Sequence, residues 1–295
     1  MTCQAGHPSS LFLPATGTVN PTFEDLLHPG ETKSLEYLCK IAMRYRKLKE
    51  TASISPMTNT VSEYISSMFA AIRVVLHEYE TLVVRTEARV LQRDDTIVSS
   101  GSFVPLASLK AAFAEWDAPF ALLESLLHTV CSKGLENWTP GPLIDLLLEK
   151  SRIGVERIAD IMSVLVLAVQ RVWQSHLIAY VVHGALSPQD PFALTKPHRL
   201  NDASMPKCLS SEARDSIAYV GRAIYTVKAA AIQGHKQPQL PRSLAVQHTQ
   251  MLAKVLPQDR HEFDAVIAQL RVNVSEWLWT TVLTRKDVDE AVDSL

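Results

Sequence analysis

Apolar residues recur along this chain in steps of three and four, and that spacing predicts helices almost throughout. The longest such stretch runs from Ser151 to Leu186. Ile158, Leu165, Val172 and Ala179 repeat every seventh residue, and Ile161, Ala168, His176 and His183 form an offset set. Val164, Val166, Leu167, Val169 and Trp173 carry the apolar surface most of the way round, as in a helix buried among others. Glycine stands at its expected end, in Val182-His183-Gly184. Asp160, Gln170, Arg171, Gln174 and His176 interrupt the apolar run, which therefore reads as too short and too polar for a membrane span.

Other stripes are shorter. In 32–50, Leu35, Leu38, Ile41, Ala42 and Tyr45 share one face, and Lys40, Arg44, Arg46, Lys47 and Lys49 lie on the outer side. A polar linker with Pro56 follows; Thr60 and Glu63 have capping-box spacing for the next helix. There Val61, Ile65, Met68, Ile72, Val75, Tyr79 and Leu82 alternate steps of four and three, widened by Tyr64, Phe69, Leu76 and Val83. A stripe this wide suits a bundle better than a two-stranded coiled coil. Residues 93–104 read as a loop. Two helices fill 104–133, the second restarting near Pro119, and Thr139-Pro140 opens a short helix through Leu148. Beyond the central helix, further helices are expected over 210–232, 242–256 and from an Asp259/Glu262 capping pair onward, the last burying Phe263, Val266, Ile267, Leu270, Val274, Trp277 and Leu278.

The expected fold class is all-α, a stack of helical bundles. Residues 1–31, with Pro8, Pro14, Pro21 and Pro29, form an irregular lead-in; 32–186 hold the first bundles; 187–209 are a loop with Pro188, Pro191, Pro197 and Pro206; 210–295 hold a further bundle. The 295 residues suffice for one large domain or two smaller ones, and 47% hydrophobic against 20% charged residues is a globular balance. The 10 glycines are too few for a many-stranded β fold or a Gly-rich phosphate loop. A net charge of -2 gives no general attraction to nucleic acid or anionic membrane, and neither is expected as a partner. Cys3, Cys39, Cys131 and Cys208 have no zinc-ligand spacing and are expected to stay reduced inside the cell. No Lys or Arg precedes Lys33, and Leu11-Phe12-Leu13 is too short for a signal peptide, so the Asn137-Trp138-Thr139 and Asn273-Val274-Ser275 sequons read as coincidences.

The search for chemistry is mostly negative. There is no dinucleotide or P-loop pattern and no Gly-x-Ser-x-Gly elbow. His77-Glu78 begins like a zinc-protease motif, but position 81 is Thr. His176 and His183 are two turns apart, wide for one metal, and Asp94-Asp95 and Asp287-Asp289-Glu290 lack EF-hand spacing. No catalytic residue, metal site or cofactor is assigned, and the chain is read as a non-enzyme. The one candidate functional set is the basic side of 32–50, Lys40, Arg44, Arg46, Lys47 and Lys49, as a partner interface.

Five segments carry a family resemblance. They are Gly6-His7-Pro8-Ser9-Ser10-Leu11; Leu27-His28-Pro29-Gly30-Glu31-Thr32 with Leu35, Leu38 and Cys39; Leu177 to Leu186 with His183-Gly184, then Asp190 and Phe192; Ala218 to Ile224 around Val220-Gly221-Arg222; and Val274-Ser275-Glu276-Trp277-Leu278-Trp279. In order and spacing these resemble the N-terminal region of gamma-tubulin complex proteins (the Spc97/Spc98 family), and most resemble the fourth, smallest component, of fungal type. Phe192 stands alone where the family has an acidic residue and paired aromatics, and Arg222 replaces its usual Glu.

The resemblance implies a scaffold of helical bundles at the spindle pole or microtubule-organising centre, in the cytoplasmic cytoskeleton. Its N-terminal part would give lateral contacts to other complex components in a microtubule-nucleating ring. Gamma-tubulin itself would bind a C-terminal domain that family members carry beyond the point matching Leu295; on this reading that domain is expected to be missing here and the bundle of 210–295 to be truncated. A helical adaptor or tethering subunit of another complex is the alternative, and ligand binding inside a bundle a third reading.

Overall fold

The computed structural model describes residues 3–14, 16–53, 62–94, 104–184, 204–232 and 240–280. Among these it is all-α, as expected: α1 (Pro29–Ala52), α2 (Glu63–Leu91), α3 (Leu106–Ala114), α4 (Asp117–Ser132), α5 (Pro140–Ser151), α6 (Glu156–His183), α7 (Ser211–Ile232), α8 (Arg242–Lys254) and α9 (Arg260–Leu278). The described β pairing is one isolated bridge, Phe12 with Val19, in the lead-in before a 3-10 turn at Pro21–Leu26. The chain divides into two compact units, one of residues 1–138 and 151–165, the other of 139–150 and 166–295. This partition falls within 139–165; of the Pro-rich stretch, 187–203 lies outside the described residues.

In the first unit, α1 packs on α2, α3 and α4. Its buried face is Leu38, Cys39, Ile41, Ala42, Tyr45, Leu48 and Ala52, which follows the expected stripe, leaves Leu35 half-buried and runs on by two turns at the C-terminal end. The centre is aromatic. Tyr79 of α2 meets Tyr45 at 4.9 Å, Phe120 at 4.9 Å, Trp116 at 5.4 Å and Phe113 at 5.9 Å between ring centroids, the last three edge-on. Edge-on pairs of this kind add about 0.5–1.5 kcal/mol each beyond area burial. The α2 stripe is buried from Tyr64 and Ile65 through Val83, except that Leu82 is half-buried; Val61 lies outside the described residues.

In the second unit, α9 packs on α7 and α8. Trp173 of α6 stacks near Phe263 at 6.0 Å, and its Nε1 donates to the Ser204 carbonyl at 2.9 Å. Gln174 donates to the Leu252 carbonyl, and to that of Val255 at 2.7 Å, tying the end of α8 to α6. Two segments of the family resemblance meet here. The ring of Tyr180 lies over Gly221, where a Cβ would come within 2.1 Å of it. Gly184 closes α6 with φ +55°, its N–H bonded to the Tyr180 carbonyl at 3.1 Å, and a Cβ there would stand 3.2 Å from the Tyr225 backbone. A left-handed residue with backbone this close favours glycine.

Several boundaries differ from the sequence reading. The helix expected from Ser151 starts at Glu156: α5 runs to Ser151, and the chain breaks at 152–155 around Gly154, which disfavours helix. By length and composition α6 is able to cross a membrane, contrary to expectation. Its Leu165, Val169, Trp173, Leu177 and Tyr180 are nevertheless buried within the protein, together with Gln170 and Gln174. The cap of α2 is Ser62, which accepts from the Tyr64 N–H; Thr60 lies outside the described residues. Pro119 is the third residue of α4 rather than the first. Asp259 flanks α9 without a side-chain cap bond, because its backbone (φ -86°, ψ 64°) is not extended. Pro56, Asp95, Asp190, Phe192, Asp287, Asp289 and Glu290 lie outside the described residues.

Candidate interaction surface

The basic residues of α1 are placed by how that helix starts. His28 is the N-cap: its Nδ1 accepts from the Gly30 N–H at 3.1 Å, while Glu31 reaches back to the His28 N–H at 3.0 Å. This reciprocal arrangement satisfies two end donors, with histidine in the place usually held by Ser or Thr. The lead-in then lies along α1. Gly6, at φ +84°, sits against the Tyr45 ring, and Gly17, at φ +71°, sits over Met43. Buried Gln4 donates to the Leu38 carbonyl at 2.9 Å and accepts from the Tyr79 hydroxyl.

The five candidate cations do not form a free basic patch. Arg44 is turned inward, its side chain 20% exposed; it pairs with the Asp117 carboxylate, donates to the Asp117 carbonyl at 3.1 Å and lies 3.5 Å from Glu124. Lys47 pairs with Glu124 at 2.7 Å, so two α1 cations share the acidic side of α4. Arg46 pairs along its own helix with Glu50 at 2.8 Å. Lys49 pairs with Glu80 of α2 at 2.7 Å and donates to the Tyr45 hydroxyl at 3.0 Å. The bond from Lys49, and then that from Tyr45, hold the Glu80 carboxyl down at about 2. Among the described residues Lys40 alone of the five has no carboxylate partner. It lines a groove of about 540 Å³ with Thr16, Thr18, Glu36, Met43 and Arg44. Sequence reading placed Arg44 on the solvated side; pairing to residues 73 and 80 positions away turns it in.

A second surface went unread. On the outer side of α2, Ala70, Val74, His77, Thr81, Val84, Ala88 and Leu91 follow one another in steps of four and three, and all are exposed. Val74, Val84 and Leu91 are 59%, 66% and 77% exposed. Ala70, Val74, Val84, Ala88 and Leu91 make most of this heptad stripe small or apolar, interrupted by Thr81 and by His77, which pairs with Glu80, and among the described residues the stripe is uncovered. Its signal was present in the spacing, but the stronger inner stripe of the same helix masked it.

The histidines flagged on α6 do not converge on a metal-like set. His183 is exposed and its carbonyl accepts from Lys228 at 3.0 Å. Among the described residues no three His, Cys, Asp or Glu side chains are grouped as metal ligands would be.

Comparison with known proteins gives two findings. A family profile described as the gamma-tubulin complex component N-terminal region matches residues 1–285. The Schizosaccharomyces pombe protein named gamma-tubulin complex component gfh1 is similar over 187 residues at 22% identity, covering 61% of this chain and 31% of its own length. The chain thus spans about a third of that relative.

Proposed function

Because this chain belongs to the gamma-tubulin complex component family, we propose that it acts as a scaffold subunit of that complex and makes lateral contacts with neighbouring components in a microtubule-nucleating ring. On this reading it works at the microtubule-organising centre, as a component of the fourth type, and its partners are other complex components, with gamma-tubulin held by a C-terminal domain. The match over residues 1–285 carries the proposal. The outer stripe of α2 supports it, since lateral assembly of helical parts needs an unpartnered helix face rather than a pocket.

Each contact would seat the α2 stripe against a helix of the neighbouring component. The test is co-purification of the tagged natural protein with other complex components, followed by sedimentation. The unchanged protein is expected to co-sediment with them. Carrying Val74→Glu and Val84→Glu together, it is expected to lose at least about tenfold in association, since about 1.4 kcal/mol suffices for that factor, with an unchanged thermal melt. Undiminished association of the double variant would remove the α2 face from the proposal, and no association of the natural protein with any component would remove the scaffold reading.

A further inference from the structure

Cys3 and Cys39 lie 36 positions apart in sequence and are brought together by the packing of the lead-in on α1. Their thiols are within hydrogen-bonding reach, and both line an apolar pocket of about 440 Å³ with Phe12, Ala42 and Met43. Cys3 is half-exposed at this pocket; Cys39 is buried on the inner face of α1. The backbone around both is held from two sides. The Gln4 side chain bonds the Leu38 carbonyl at 2.9 Å, fixing residues 3 and 4 beside 38 and 39. The Gly6 N–H bonds the Cys3 carbonyl at 2.9 Å, closing a turn that rests on Tyr45. Both thiols are free.

We propose that Cys3 and Cys39 form a reversible intramolecular disulfide that fastens the N-terminal lead-in to α1 when a peroxide oxidant is present. Two thiols on the wall of one pocket, with the neighbouring residues 4 and 38 already bonded to each other, need little backbone movement to bond. The two ends also differ in reactivity. The hydrogen bond with Cys39 lowers the Cys3 thiol to about 7, whereas burial raises that of Cys131, and burial with Asp145 nearby raises Cys208 to about 11. Cys3 is therefore the thiol richest in thiolate near neutral pH, and thiolate is the form that attacks.

The chemistry balances with hydrogen peroxide as oxidant. The Cys3 thiolate attacks one peroxide oxygen; an S–O bond forms, the O–O bond breaks, and hydroxide leaves to become water. The Cys39 sulfur then attacks the Cys3 sulfenic sulfur; the S–S bond forms, the S–O bond breaks, and the Cys39 proton leaves with the hydroxyl as a second water. Two thiols lose two electrons and peroxide gains them. Two equivalents of a thiol such as glutathione reverse the bond by exchange, leaving as their own disulfide.

The proposal is independent of any partner and is tested on the chain alone. The full-length protein is treated with hydrogen peroxide, remaining thiols are alkylated, and the protein is digested with trypsin without reductant. No Lys or Arg precedes Lys33, so Cys3 falls on peptide 1–33 and Cys39 on 34–40. A cross-linked pair of these peptides is expected, two hydrogens lighter than their sum and lost on reduction. It should form before oxidation of Cys131 or Cys208. With Cys39→Ser the reaction should stop at a Cys3 sulfenic acid that dimedone traps, and with Cys3→Ser both adduct and cross-link should vanish. The oxidised protein should also unfold at higher urea than Cys3→Ser treated in the same way. Recovery of both cysteines on separate alkylated peptides, or oxidation confined to Cys131 or Cys208, would overturn the proposal.

Discussion

Gln170 is fully buried on α6, and neither its amide nitrogen nor its oxygen has a hydrogen-bond partner among the described residues. A buried amide without partners costs about 1–3 kcal/mol. Gln170→Met keeps the volume and removes both polar atoms, and is expected to raise the unfolding free energy measured by urea titration by roughly that amount. The opposite sign is expected at Gly221, where a methyl would enter the Tyr180 ring: Gly221→Ala should lose about 1–3 kcal/mol in the same measurement. Glu80 gives a pH test. Its carboxyl is held at about 2, below the ordinary carboxylate value, so the charged form is the stabilised one. That contribution is present at neutral pH and is lost as pH falls from the ordinary carboxylate range through about 2. The stability gap between the natural protein and Glu80→Gln should therefore narrow steadily over that window; a gap independent of pH would remove the role given to the Lys49 bond.

Among the elements, α1 shows what the chain spells out and what it hides. Its buried face was legible because Leu38, Ile41, Ala42 and Tyr45 hold a helical period whatever they pack against. Its start was not, because histidine is rarely read as a cap and Pro29-Gly30 looks like loop. His28→Ala should cost about 1 kcal/mol of stability, and Glu31→Ala somewhat less, since each removes one half of the reciprocal cap. The opposite failure occurred before α6. Ile153 and Val155 continue an apolar rhythm into Gly154, so the pattern ran through a break that only backbone preference signals. Periodicity thus recovered the helices and their inner faces, while ends set by a single side chain or glycine stayed hidden.

Across the whole molecule, the candidate surface was the least legible part. That five cations lie outside the α1 stripe could be read in sequence; that four of them are neutralised by Glu50, Glu80, Asp117 and Glu124 could not, since three of those carboxylates come from helices joined only by the fold. This changes how assembly should respond to salt. A basic patch meeting an acidic neighbour would weaken steeply as the Debye length falls from ~10 Å to about 3 Å. Contact through the outer stripe of α2, led by the exposed Val74, Val84 and Leu91, is mainly apolar and should change little over that range. Sedimentation of the natural assembly across the salt range separates the two. Charge reversal does so independently. Lys40→Glu and Arg46→Glu alter exposed side chains and should leave both fold and assembly nearly intact. Arg44→Glu sets a third carboxylate beside Asp117 and Glu124 in a half-buried site, and should lower the melting temperature. A loss of assembly in Arg44→Glu is then a consequence of unfolding between α1 and α4, and the melt recorded on the same sample identifies it as such. Strong salt dependence together with lost assembly in Lys40→Glu at an unchanged melt would return the interface to the basic side of α1.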